Sequence, residues 1–208
     1  MTAGTEEIPF KEGTTVSYPA STVIKSGILS EDFMVQGVHF KKSSVLGFDE
    51  KGTLWRCNIS EDTVINGLPC RADSEVEFFP EGMVLSCVLS ADTQIGGIPA
   101  AKGSLVMFHR NGSLFKCDMV HDTVIDGYPV RCGDVCFYDD GRLSAFYLAE
   151  DFGIDGISCK TGTRVWLRKD GRLSACTAGQ DVTIQGGLYK AGELIVFMED
   201  GALLDYRR

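Results

Sequence analysis

Short stretches of alternating apolar and polar residues predict β-strands along most of the chain. In Val76–Phe78 the large apolar residues stand at every second position, and Val106 and Phe108 hold the same two places in the next repeat. This is the period of a strand with one buried face. A second kind of stretch carries Leu54, Cys57 and Ile59. Its first step of three residues predicts a β-bulge beside the preceding turn. No segment shows a helical period of useful length, and the pattern therefore predicts an all-β protein.

Glycine-containing dipeptides separate these stretches. Such glycines are spaced about 15 residues apart, as at Gly52, Gly67 and Gly82. Dipeptides such as Asn111-Gly112 and Asp126-Gly127, placed between apolar residues, are strong hairpin signals. Pro80 precedes Glu81-Gly82, and its fixed φ suits the first central position of a type I turn. We therefore predict type I turns closed by a G1 bulge, with glycine in the left-handed region.

An Asp-x-x-(Ile/Val)-x-Gly motif recurs along the chain and defines an internal repeat. Its copies, at spacings of 30, 30, 30, 29 and 30 residues, begin at Asp32, Asp62, Asp92, Asp122, Asp151 and Asp181. Residues 1–31 form a partial copy before the first motif. The array predicts a single β-repeat domain over residues 1–208, built from about seven hairpin repeats.

The arrangement of the repeats follows from the turns. Hairpin turns at both ends of every arm predict an antiparallel meander of roughly 14 strands, which would be about 65 Å wide and must twist, roll or close. A parallel β-solenoid with one coil per repeat is the alternative, although it leaves the hairpin turns unexplained. A seven-bladed propeller is a further alternative, but 30 residues are few for a four-stranded blade.

The turn sequence of Phe108–Leu114, of the form Phe-x-x-(Asn/Asp)-Gly-x-Leu, recurs from Phe48 to Leu203. It resembles the hairpin repeat of MORN-type proteins. The repeats here are longer, and the chain has only two tryptophans. The resemblance implies stacked hairpins that attach to proteins and membranes and have no catalytic activity of their own.

Composition and charge narrow the classes of partner. With 20 basic and 29 acidic residues the net charge is -9, which argues against nucleic acid and anionic membranes as partners. No apolar run reaches the roughly 18 residues needed to span a bilayer. The N-terminal residues lack the pattern of a signal peptide, and no C-x-x-C pair occurs among the eight cysteines. These features predict a protein of the reducing cytoplasm.

The repeated polar residues have structural explanations. One aspartate per repeat, without a second acidic column, favours hydrogen bonding to backbone N–H groups where the long arm bends over calcium binding. Four cysteines share one repeat position, namely Cys57, Cys87, Cys117 and Cys176. Phe146 takes that position in another repeat, so the position is a core position rather than a zinc site. Cys70 and Cys159 occupy a second such position. We predict no metal and no cofactor.

Catalysis finds little support in the sequence. His39, His109 and His121 lie at turn or surface positions, and no nucleophile elbow, phosphate loop or dinucleotide fingerprint occurs. A regular array places like groups in rows, whereas an active site needs unlike groups at one point. The sequence therefore predicts no catalytic residue.

Large aromatic residues that break the repeat are the candidate binding residues. Trp166 stands where other repeats have small, acidic or apolar residues, and Trp55 and Phe115 share a second variable position. Exposed aromatic residues anchor protein contacts or stack on sugars. The leading hypothesis is a protein-interaction or assembly scaffold that binds a protein partner or self-associates. The alternative is a glycan-binding module, and the third hypothesis is a hydrolase with paired carboxylates in a groove.

Overall fold

The computed structural model describes residues 8–18 and 24–204. The partial first repeat and the last repeat are therefore described without residues 1–7, 19–23 and 205–208. Every helix or strand assigned in the described residues is a β-strand. Within them there is no helix long and apolar enough to cross a membrane.

The strands are short, and all but one have two to five residues. In chain order they are β1 (Val16–Ser17), β2 (Ile24–Ile28), β3 (Phe33–Val35), β4 (Val38–Phe40), β5 (Val45–Phe48), β6 (Leu54–Asn58), β7 (Thr63–Ile65), β8 (Leu68–Cys70), β9 (Glu75–Phe78), β10 (Val84–Val88), β11 (Thr93–Ile95), β12 (Ile98–Ala100), β13 (Leu105–Phe108), β14 (Leu114–Met119), β15 (Thr123–Ile125), β16 (Tyr128–Val130), β17 (Gly133–Phe137), β18 (Leu143–Tyr147), β19 (Phe152–Ile154), β20 (Ile157–Cys159), β21 (Arg164–Leu167), β22 (Leu173–Thr177), β23 (Val182–Ile184), β24 (Gly187–Tyr189) and β25 (Leu194–Val196).

Thirteen of these strands, which we call the main strands, follow one another as an antiparallel meander. Their order is β1-β2-β5-β6-β9-β10-β13-β14-β17-β18-β21-β22-β25. The antiparallel prediction is confirmed. The parallel solenoid is wrong, because neighbouring strands of the meander run in opposite directions, for example β17 and β18.

The remaining strands form two-stranded hairpins, which we call the short hairpins. They are β3–β4, β7–β8, β11–β12, β15–β16, β19–β20 and β23–β24. Each long arm of the repeat is thus divided into a main strand and a short strand. The arm bends at the repeat aspartate, as predicted, and the bend separates the two strands. The meander consequently contains only one of the two predicted hairpins of each repeat.

The turns between main strands have the predicted geometry. In the turn before β18, the N–H of Gly141 donates to the carbonyl of Tyr138 at 3.0 Å, and the N–H of Tyr138 donates to the carbonyl of Arg142 at 2.8 Å. Gly141 has a φ of 86°, as a G1 bulge requires. Beyond the turn the register shifts, so that Ser144 has no partner opposite it. This shift is the bulge predicted from the step of three residues.

Alanine at such a turn glycine will destabilise unit 2, the C-terminal unit defined below, through backbone strain. Gly141→Ala places a side chain at a φ of 86°, which costs about 1–2 kcal/mol of unfolding free energy. The matched control is Gly153→Ala in β19, where an added Cβ meets nothing within 4 Å and the change is neutral or slightly stabilising. Denaturant unfolding of both variants measures the difference, and equal midpoints would contradict the assigned turn.

The tips of the short hairpins are turns of another type. Asn66 and Gly67 have φ values of 49° and 81°, and Ile65 pairs with Leu68 across them, so the loop is a two-residue type I′ turn. The Asn66 side chain also accepts a hydrogen bond from the N–H of Val84 at 2.9 Å. The tip of the short hairpin is thereby attached to a main strand.

The chain divides into two compact units. Unit 1 comprises residues 1–93 and 102–112, and unit 2 comprises residues 94–101 and 113–208. In each unit the short hairpins cover one face of the main strands; in unit 2, for example, the ring of Tyr128 lies 5.5 Å from that of Phe146. The central core positions of the main strands, at most 2% exposed, are Leu46, Cys57, Val76, Cys87 and Val106 in unit 1 and Cys117, Val135, Phe146, Val165, Cys176 and Ile195 in unit 2.

Candidate functional site

The repeat aspartates have a structural role. Each carboxylate accepts a hydrogen bond from the backbone N–H ten residues later, across the bend between a main strand and a short hairpin. The pairs, at 2.7–3.0 Å, are Asp32–Lys42, Asp62–Ala72, Asp92–Lys102, Asp122–Cys132, Asp151–Thr161 and Asp181–Ala191. The prediction that they bond to backbone N–H groups at a bend is confirmed. In the described part of the chain, no three His, Cys, Asp or Glu side chains are arranged to hold a metal ion.

At three of these aspartates, hydrogen bonds stabilise the ionised carboxylate. The backbone N–H of Cys132 holds the pKa of Asp122 below its usual value. Lys41 does the same for Asp32 and Lys190 for Asp181, each through a side-chain hydrogen bond. Carboxyl groups with lowered pKa values are poor general acids at neutral pH.

Replacement of a repeat aspartate will destabilise unit 2 in a pH-dependent manner. Because the pKa of Asp122 is lowered in the folded protein, its contribution is complete above the unfolded pKa of about 3.9 and is lost as the pH falls through the folded value. Asp122→Ala should lower the melting temperature at neutral pH, and the difference from wild type should shrink in acid. Glu150→Ala, at an exposed position, is the control. A difference that is independent of pH would contradict this role.

The shared cysteine position lies in the core, as predicted. Cys57, Cys87, Cys117 and Cys176 are at most 2% exposed and are free thiols. Burial raises the pKa of Cys117 to about 12. Buried protonated thiols are poor nucleophiles, so this row does not supply a catalytic nucleophile in the folded chain at neutral pH.

A groove on unit 2 provides a test of the hydrolase hypothesis. It has a volume of about 580 Å³ and lies beside Arg168, Arg172 and Phe197. Asp155 is its one carboxylate among the described residues, and one oxygen of Asp155 accepts the N–H of Leu173 at 2.8 Å. A glycosidase needs two carboxylates, so this groove gives that hypothesis no support.

The other face of the main strands is the more informative surface. Directly opposed residues of neighbouring strands place a row of side chains on it in unit 2, formed by Lys116, Cys136, Ala145, Trp166, Ala175 and Val196. The next row on the same face contains the opposed pair Tyr147 and Arg164. We call this surface the exposed face of unit 2, although the small side chains of Ala145 and Ala175 are buried between their neighbours on it. Trp166 is 39% exposed on it.

Five residues of the exposed face, which we call the Trp166 cluster, contact one another. The guanidinium carbon of Arg164 lies 5.7 Å from the ring centroid of Trp166 and 5.5 Å from that of Tyr147. Arg164 also donates a hydrogen bond to Asp134. The Lys116 ammonium lies 2.7 Å from the other oxygen of Asp134. The cluster is thus a cation between two aromatic rings, fixed by an acidic residue.

The ion pairs of Asp134 are partly shielded from water. The side chains of Arg164 and Asp134 are 25% and 20% exposed. Burial would raise the pKa of Asp134, but the hydrogen bonds from Lys116 and Arg164 outweigh it and leave that pKa below its usual value. Asp134 therefore stays ionised and holds the Arg164 guanidinium in place.

The three residues predicted for binding occupy different surroundings. Phe115 is 36% exposed and belongs to unit 2, on β14, three strands from Trp166 or about 14 Å. Trp55 is 37% exposed and belongs to unit 1. The guanidinium of Arg56 lies 4.5 Å from its ring centroid. Trp166 differs from Trp55 in that its arginine also contacts a second aromatic ring, that of Tyr147.

Sequence reasoning missed Tyr147, Arg164 and their acidic partner. A signal was nevertheless present. At the position of Tyr147 other repeats have Asn58, Val88, Asp118 or Thr177, none of them aromatic, and at that of Arg164 they have Val45, Glu75, Leu105, Asp134 or Leu194, none of them basic. The criterion that selected Trp166, a large side chain that breaks the repeat, selects these residues as well. It was applied to aromatic residues at only two repeat positions.

Comparison of the chain with protein-family models, with curated proteins and with solved structures found no match in any of the three. The resemblance to MORN-type repeats therefore stays a prediction. Function has to be inferred from the residues of the site.

Proposed function

We propose that this chain is a non-enzymatic protein-interaction module whose contact site is the Trp166 cluster. One observation carries the proposal: a tryptophan, an arginine and a tyrosine lie side by side on the exposed face of unit 2. These three residue types are the most enriched among those that dominate the energy of protein interfaces. A rigid sheet presents them without a loop that must first become ordered.

The order already present in the cluster favours tight binding. An arginine ordinarily loses side-chain entropy when it is immobilised by a partner. Here Asp134 and the two aromatic rings hold Arg164 before any partner arrives. The planar guanidinium keeps further N–H donors for the partner's carbonyl groups.

The charges of the exposed face define the chemistry of the partner. Lys116 and Arg164 are balanced by Asp134 and by Asp118, which lies directly opposite Asp134. The patch is neutral, although the chain has a net charge of -9. We therefore expect a protein partner with an apolar, uncharged surface, as at the core of most interfaces. Binding should depend only weakly on salt.

The glycan alternative has less support from the same geometry. A sugar stacks on the face of an aromatic ring, and the Trp166 ring already carries the Arg164 guanidinium on one face. The Trp55 ring carries that of Arg56 in the same way. The arrangement favours a protein partner and leaves a glycan as an outcome of the test.

The test combines a truncation with a matched control. Trp166→Ala and Arg164→Ala remove parts of the cluster, and Val124→Ala removes an apolar side chain that is 71% exposed on a short hairpin. Sedimentation at several concentrations first shows whether the partner is a second copy of the chain. Otherwise, proteins and glycans from the source cell that bind wild type are identified, purified and titrated by calorimetry.

The expected result is specific to the cluster. Loss of the Trp166 or Arg164 side chain should weaken binding by at least about 30-fold, as at a hot spot, whereas Val124→Ala should change it less than about twofold. Equal affinities for all four proteins would overturn the proposal. If the ligand is a purified glycan and Trp166→Ala abolishes its binding, the glycan alternative is established instead.

A further inference from the structure

Four of the short hairpins, and the segment around Phe10 before β1, contact a main strand at equivalent places. Single antiparallel bridges join Phe10 to Leu29, Cys70 to Leu89 and Cys159 to Ala178. The same backbone hydrogen bond, 2.7–2.8 Å long, follows each bridge. It runs from Lys11 to Ile28, from Arg71 to Val88 and from Lys160 to Thr177. The backbone therefore has the same arrangement at each of these places. The distance between the bridge residue and the core residue 17 positions later should then be the same at each place as well.

Phe10 and Gly27 show how close these two positions are. A Cβ placed on Gly27 would lie 2.8 Å from Cγ of the Phe10 ring. One carbon–carbon bond of roughly 1.5 Å separates Cγ from Cβ, so the two Cβ positions are at most about 4.3 Å apart. Disulfide bonds have Cβ–Cβ distances of about 3.5–4.5 Å. This contact position therefore has the spacing that a disulfide needs.

In two repeats, both the bridge residue and the core residue at this contact position are cysteines. They are Cys70 with Cys87 in unit 1 and Cys159 with Cys176 in unit 2, all 0% exposed. Within each pair the two thiols are close enough that one raises the pKa of the other. Other repeats have Phe40 with Cys57, Ala100 with Cys117 and Val130 with Phe146. Among these repeats, the bridge residue on the short hairpin is a cysteine only where the core residue of the main strand is also a cysteine.

We propose that Cys70–Cys87 and Cys159–Cys176 are oxidation sites, each forming an intramolecular disulfide that ties a short hairpin to the main strand beneath it. The oxidant is a small-molecule disulfide such as oxidised glutathione. One thiolate attacks it, forms a mixed disulfide and releases one glutathione thiolate. The second cysteine thiolate then displaces the other glutathione. Overall two thiols become one disulfide, and one oxidised glutathione becomes two reduced molecules.

In the folded chain the environment of each pair favours protonated thiols. In unit 1 the S–H of Cys70 donates to the carbonyl of Leu68 at 3.5 Å, and the neighbouring Cys70 thiol together with burial raises the pKa of Cys87. The thiolate is the nucleophile, so the folded pair reacts slowly. Both thiols are fully buried in the folded chain. The reaction should therefore be fast during folding and slow afterwards.

The experiment is oxidative refolding followed by peptide mapping. The full chain is unfolded and reduced, then refolded in a glutathione redox buffer, so that burial in the folded state does not limit access. Remaining thiols are alkylated under denaturing conditions and the linkages are identified by mass spectrometry. Half of the eight cysteines should resist alkylation until a reductant is added. Only the two proposed linkages should be abundant.

Single substitutions provide the controls. Cys70→Ala and Cys159→Ala introduce alanine, which another repeat has at the equivalent position, Ala100. Each substitution should remove one linkage and leave the other. The oxidised wild type should melt at a higher temperature than the reduced chain, because the cross-links restrict the unfolded state. Four alkylated thiols at these sites, or abundant linkages to Cys57 or Cys132, would overturn the proposal.

Discussion

Replacing Phe146 with alanine should remove about 3–5 kcal/mol from the unfolding free energy of unit 2, as for other fully buried phenylalanines. The side chain is 0% exposed at the centre of β18, where four other repeats have cysteine. Tyr128 of the covering hairpin lies against it, with ring centroids 5.5 Å apart. Removing the ring leaves a cavity bounded by two elements that other contacts hold in place, so little of it can collapse.

Each unit has its own fluorescent reporter for this measurement. The chain has two tryptophans, Trp55 in unit 1 and Trp166 in unit 2. In a Trp55→Phe background, the fluorescence of Trp166 follows the unfolding of unit 2 in denaturant. Val124→Ala, at a side chain that is 71% exposed, should change the midpoint by less than about 0.5 kcal/mol. A loss below about 1 kcal/mol for Phe146→Ala would contradict the assigned core.

The local features of the fold could be predicted from the sequence because they are set by neighbouring residues. The fixed φ of Pro80 and the glycine two positions later define the type I turn and its bulge. The equivalent turn at Gly52 is followed by the step of three residues from Leu54 to Cys57, because Trp55 is the extra residue of the bulge. Alternation with a period of two likewise identified which face is buried.

The division of each arm could not be predicted in the same way. Alternation of apolar and polar residues continues across the bend, so the pattern of a main strand followed by a short one resembles that of one long strand. Only the aspartate marks the bend, through a hydrogen bond to a residue ten positions later. A single aspartate in each repeat indicates that the backbone is held at that point. It does not indicate the angle between the two strands that meet there.

The candidate site was predicted in part for a similar reason. Comparison of repeats identified Trp166, which differs from all its equivalents. It did not identify Tyr147 and Arg164, because their proximity to Trp166 comes from the register of β18 and β21. The cysteine pairs were missed because equivalent residues were compared with one another. Cys70 contacts Cys87, which occupies a different repeat position.

The contact position between hairpin and core can be tested by exchanging its residues between repeats. Gly27→Cys should destabilise unit 1 by about 1–3 kcal/mol, because the new side chain collides with the Phe10 ring. That ring lies 2.5–2.8 Å from the site of the added Cβ. Phe10→Ala should cost about 2 kcal/mol, less than for a fully buried ring, since Phe10 is half-buried and contacts Phe48 at its edge.

The double variant Phe10→Ala/Gly27→Cys recreates the pair Ala100–Cys117 of a later repeat. The thiol then occupies space that the ring has vacated, so the double variant should be more stable than the sum of the single effects predicts by at least about 1 kcal/mol. Unfolding in reducing buffer, followed by Trp55 fluorescence, measures this coupling. Additive effects would mean that the two positions do not touch. The geometry from which the cysteine pairs were inferred would then fail, whatever the refolding experiment showed.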